Sequence, residues 1–92
     1  MAQFQQQNQS VYVSGHLTQR DVTQLWSRRD QLFTREAQVV DLSALEYTDS
    51  AGIALLLSLK SPTAGSQALK LVSPSPQLQK MIALYDLGDF FE

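Results

Sequence analysis

Hydrophobic and polar positions change their spacing several times along this chain, and each change marks an element. Val11-Tyr12-Val13-Ser14-Gly15 reads as a β-branched and aromatic strand stopped by glycine. A helical pattern follows. Thr18 and Asp21 stand at the spacing of a capping box, with Asp in place of the usual Glu or Gln, and Leu17 and Val22 at that of a hydrophobic staple. Val22, Leu25, Trp26, Leu32 and Phe33 fall mostly on one face while Arg28, Arg29 and Asp30 lie elsewhere, which predicts a helix over about 18–34. Trp26 on that apolar face reads as core, the alternative being an aromatic that anchors an interface. The dense apolar stretch 37–42 predicts a strand buried on both faces. Residues 43–48 read as a short connection leading to Asp49-Ser50-Ala51-Gly52. Ile53 to Leu59 is apolar almost all round, as suits a short helix pressed into a core.

Residues 61–66 have loop chemistry, and 68–72 form another strand candidate. Ser75 then caps a last helix with Pro76 at its first position, where the missing N–H costs nothing. Leu78, Met81, Ile82 and Tyr85 make its stripe, and Gly88 is the expected terminator. Ahead of all this, residues 1–9 hold five glutamines and the isolated Phe4, and fit either an edge strand or a frayed tail. Strands alternating with helices imply an α/β layer with parallel strands, and 92 residues leave room for one such domain over 1–92.

Composition removes several classes of function. A chain 43% hydrophobic and 17% charged is not disordered, and 7 basic against 9 acidic side chains leave no footprint for nucleic acid. Without cysteine there is no disulfide and no soft-ligand zinc or iron–sulfur site, so neither a metal nor a cofactor is expected. The longest apolar run, Ile53 to Leu57, is far short of the roughly 20 residues of a membrane span. The N-terminus resembles no signal peptide, so the cytosol is the expected compartment, with no direct membrane insertion.

Catalysis finds no support either. The lone histidine, His16, has no nucleophile elbow to serve, and the glycines at 15, 52, 65 and 88 are too scattered for a phosphate loop. Asp41 and Asp49 are equally well explained as a strand-end residue and a turn or cap residue. The place that invites a partner is Asp49-Ser50-Ala51-Gly52, where free N–H groups and the helix dipole point outward. The Ser50 hydroxyl there is able to cap the helix, bond a partner or take a phosphate. Gly52 lowers helix propensity by about 1 kcal/mol relative to alanine. Close approach of another backbone, within the fold or across an interface, would account for it.

The run from Val39 to Leu56, an apolar strand, then Asp41-Leu42-Ser43, then Asp49-Ser50-Ala51-Gly52 and an apolar helix, resembles the signature of STAS domains. Ser14-Gly15-His16-Leu17-Thr18 matches the turn before that family's first helix, and the resemblance extends over the chain beyond about residue 10. It implies a non-catalytic protein-binding module: a mixed sheet of four or five strands with helices packed mainly on one face. Leu25-Trp26 with Arg28 or Arg29, and Leu84-Tyr85-Asp86-Leu87, resemble the small STAS subunit of the Mla phospholipid-transport ABC complex, the MlaB type. That likeness implies a cytoplasmic subunit, peripheral to the inner membrane, that binds and stabilises or activates an MlaF-type ABC ATPase within a permease complex and so supports outer-membrane lipid asymmetry. The implied contact is Asp49, Ser50, Ala51, Gly52, Ile53 and Ala54, with Ser50 central and Ala51 and Gly52 keeping the surface flat. The alternative implied by the resemblance is an anti-sigma-factor antagonist that binds a histidine-kinase-like partner. Phosphoregulated antagonists generally carry Ser or Thr immediately before the glycine, where this chain has Ala51, so a phosphosite here would have to shift to Ser50.

Overall fold

A computed structural model describes residues 2–34, 36–60 and 69–92. The glutamine-rich opening is a strand, β1 (Gln3–Gln7), antiparallel to β2 (Ser10–Leu17) through a two-residue turn at Asn8-Gln9. Asn8 takes the positive φ of 57° that this turn needs. The open choice for residues 1–9 therefore resolves to an edge strand, and Phe4, opposite Val13, packs on the core.

β2 is the spine of the sheet. Its first half pairs in parallel with β3 (Val39–Asp41), its second half with β4 (Leu45–Thr48), and β3 continues to β5 (Lys70–Val72), again parallel. Val11, Val13 and Leu17 of β2 are buried, whereas Tyr12 and His16 are exposed, so the strand has one core face. Among the described residues three α-helices pack with the sheet: α1 (Gln19–Leu25), α2 (Ser50–Ser58) and α3 (Pro76–Leu84). α1 packs on α2 and β2, and both α2 and α3 pack on β4.

Several expectations are corrected. Gly15 does not stop β2: with φ 83° it lets the strand bend and shift register against β4, and pairing continues to Leu17. That shift also makes a strand of 45–48, within the stretch expected as a connection. Leu45 and Thr48 are buried with Glu46 and Tyr47 both outside, a spacing of three instead of two. β3 is shorter than 37–42, and only Val40 is fully buried within it; Val39 and Asp41 are half-covered.

The helix expected over 18–34 ends at Leu25 and tightens into a 3-10 segment, Trp26–Gln31, broken at Arg28 (φ −123°, ψ 27°). Trp26, Ser27 and Arg28 are exposed there, so no buried stripe extends the α-helix. Its start is as expected: the Thr18 amide donates to the Asp21 carboxylate at 2.9 Å, and the Thr18 hydroxyl does so at 3.1 Å. Ser75 caps α3 by accepting from the Leu78 amide, with Pro76 at the first position. Tyr85, however, is 50% exposed and lies past the helix end. Asp86, not Gly88, takes the left-handed conformation after the helix (φ 57°), and Gly88 instead opens a 3-10 turn. The loop 61–66 and Ala68 lie outside the described residues.

Candidate functional site

The start of α2 is held in place from three directions. Asp49 caps it: one carboxylate oxygen accepts from the Gly52 amide at 2.9 Å. The other accepts from the amide of Gln19, the first residue of α1, also at 2.9 Å. One side chain thus joins two helix N-termini, and its negative charge suits the positive end of both dipoles. Behind it, the buried Thr48 hydroxyl donates to the Leu17 carbonyl at 2.8 Å, tying the end of β4 to the end of β2. From the third side, the Gln77 amide of α3 accepts from the Thr48 N–H (3.1 Å) and donates to the Thr48 carbonyl (3.0 Å).

This frame sorts the expected contact residues. Ser50 and Ala54 are exposed, and Asp49 and Ala51 are half-buried. Gly52 and Ile53 are buried and offer no surface, which corrects their expected place in a contact. A Cβ on Gly52 would overlap Thr48 Oγ1 and stand 2.5 Å from the Leu17 carbonyl oxygen, so the close approach that requires glycine is internal. Ile53 points into the core with Leu55, Leu56 and Leu59. What remains outside is a small-residue face led by Ser50, Ala51 and Ala54.

Gln77, Gln19 and Thr48 had no sequence signal for these roles. Gln77 is one of two glutamines on α3, one turn before Met81 of the apolar stripe, and nothing in its spacing points to Thr48; Gln19 contributes only its backbone. Thr48 would have stood out only if β4 had been legible.

The residues with chemical potential elsewhere are engaged locally. Asp41 accepts from both the amide and the hydroxyl of Ser43, at 2.9 and 2.6 Å, forming a turn. His16 is exposed, 3.9 Å from the exposed Glu46, with its ring edge-on to Tyr47. Trp26, expected in the core, is 41% exposed and lies under the Arg29 guanidinium at 4.6 Å. Among the described residues no three His, Asp or Glu side chains gather as a metal ion would need. No described helix is long and apolar enough to cross a membrane.

Comparison with known proteins agrees with this geometry. A family model described as "Mlab, STAS domain" matches residues 1–92. The chain belongs to the MlaB-type STAS family. Among the solved structures that share its fold are two of SpoIIAA. The anti-sigma-factor antagonist SpoIIAA in its unphosphorylated form is 20% identical, with a TM-score of 0.67 over 100% of this chain and 86% of that one. The Bacillus cell-fate determinant SpoIIAA in its phosphorylated form is 22% identical, with a TM-score of 0.58 over 100% of this chain and 89% of that one. No curated protein matches the sequence. The fold is therefore that of a STAS domain, a protein-binding family, with a mixed five-stranded sheet and three helices.

Proposed function

We propose that this chain is the small STAS subunit of an ABC phospholipid transporter, docking on the transporter's MlaF-type cytoplasmic ATPase through the exposed start of α2. The observation that carries the reading is the small-residue face of exposed Ser50 and Ala54 and half-buried Ala51 on a frame braced by Asp49, Thr48 and Gln77. Small side chains allow a partner helix or loop to approach the backbone closely. The Ser50 hydroxyl supplies one hydrogen bond at the centre of the contact. Hydrogen bonds from Asp49, Thr48 and Gln77 hold the frame in place before docking, which lowers the ordering cost of binding. Binding of this kind stabilises the ATPase in the geometry it needs, and this supports the phospholipid movement that maintains outer-membrane lipid asymmetry. The subunit is then cytoplasmic and held at the inner membrane by its partner.

The likeness of fold to SpoIIAA favours a second reading, an anti-sigma-factor antagonist. Ala51 counts against its phosphoregulated form, because the position before Gly52 has no hydroxyl to accept phosphate.

Affinity capture of the tagged chain from its native cells in mild detergent separates the two. Recovery of an ABC ATPase with its permease, reduced by Ser50→Ala, is the expected outcome. Recovery of a histidine-kinase-like protein without them would overturn the transporter reading.

A further inference from the structure

The sheet ends in strand edges that are treated differently. Along β5, the Glu92 amide donates to the Leu71 carbonyl at 2.8 Å and the Ser73 amide to the Glu92 carbonyl at 3.0 Å. Phe91 bridges Leu71 in parallel, so the last residues close that edge as a partial strand. On β4, the Gln77 side chain takes both backbone groups of Thr48. β1 pairs with β2 alone among the described residues.

The register says which groups of β1 are free. The two-residue turn makes Gln7 and Ser10 a hydrogen-bonded pair, and by alternation Gln5 and Gln3 also turn their backbone groups to β2. The other side of β2 agrees. The Val39 amide donates to the Gln9 carbonyl, so odd-numbered backbone faces β3 and even-numbered backbone faces β1. Phe4 and Gln6 therefore direct their N–H and C=O groups out of the sheet.

An open edge usually carries a lysine, a proline or a bulge that prevents further pairing. β1 has none of these. Its five residues pair without a register shift, and the first charged side chain of the whole chain is Arg20. Gln3, Gln5 and Gln7 are exposed on one face.

We propose that β1 pairs antiparallel with β1 of a second copy of this chain, about a two-fold axis at Gln5. This register sets Phe4 opposite the partner's Gln6 and forms about four backbone hydrogen bonds. Gln5 lies beside the partner's Gln5, and Gln3 beside the partner's Gln7, where primary amides both donate and accept. A second copy suits this edge because neither strand brings a charge to repel the other, and the arrangement is self-complementary. The two-fold register uses up both β1 edges, and with β5 covered by Phe91 and Glu92 and Thr48 of β4 held by Gln77, the assembly is a closed pair and not an open-ended sheet. The docking face on α2 belongs to a different element, so this inference does not rest on the function proposed above.

Sedimentation equilibrium of the full chain across the micromolar range tests it. The expected average mass rises from 10.3 kDa toward twice that value with concentration. Gln5→Lys and Gln5→Glu each place like charges opposite one another and weaken association about tenfold, whereas an equimolar mixture of the two restores it. Gln5 is exposed, so circular dichroism of both variants should match the parent. A mass fixed at 10.3 kDa at every concentration overturns the proposal. So does undiminished association of Gln5→Lys, or a mixture that regains nothing.

Discussion

Gly52 packs its bare Cα against Thr48, leaving no room for a Cβ between the helix and the Thr48 hydroxyl. The Leu17 carbonyl stands behind it as a second, backbone obstacle, 2.5 Å from where that Cβ would sit. Gly52→Ala must therefore push α2 off the β2–β4 corner. An overpacking cost of about 3 kcal/mol is expected, read as a lower urea midpoint. Thr48→Ala should relieve only part of it, since the carbonyl remains.

Ser50 and Ala54 should behave in the opposite way. Both are exposed, so Ser50→Ala and Ala54→Arg should change unfolding free energy by less than about 0.5 kcal/mol. In a binding titration with the ATPase, Ser50→Ala should weaken the complex roughly tenfold and Ala54→Arg more. Normal affinity in both variants would place the docking face elsewhere.

Asp49 is expected to be costly through two helices at once. Asp49→Ala removes the acceptor for the Gly52 amide and the acceptor for the Gln19 amide. Losing a cap costs about 1 kcal/mol, so about 2 kcal/mol is expected for the pair. Asp49→Asn, which keeps one acceptor oxygen, should recover roughly half of it. Urea unfolding of the three proteins is the measurement.

Gln77→Ala leaves the Thr48 N–H and C=O without their partner. Leaving such groups unsatisfied costs about 2 kcal/mol. Amide hydrogen exchange should accelerate at Thr48 before it does in the centre of β2, because among the described residues Gln77 is what holds that N–H.

Much of the architecture could be read from the pattern of residues, and the places where reading failed share a cause. Ser75-Pro76, Thr18-Asp21 and the apolar run from Ile53 are local signals that depend on neighbours in sequence, and each marks an element in the structure. β4 is hidden in the sequence because its bulge breaks the two-residue alternation that marks a strand. The overlong first helix came from extending a helical period through Trp26, where exposure removes the burial that would sustain it. At the candidate site, the Asp49-Ser50-Ala51-Gly52 motif was visible, but its division of labour was not. Exposure of Ser50 and burial of Gly52 follow from how α2 meets Thr48 and Leu17, residues that only the folded sheet brings together.

The closure of β5 by Phe91 and Glu92 gives the last residues of the sequence an unusual responsibility. Trimming a chain end is ordinarily harmless. Here, proteolytic clipping after Leu87 would bare the β5 edge and its Leu71 backbone, and a bared strand is a template for aggregation. A clipped molecule would then be open to joining others through that edge, so residues 88–92 guard solubility as well as stability.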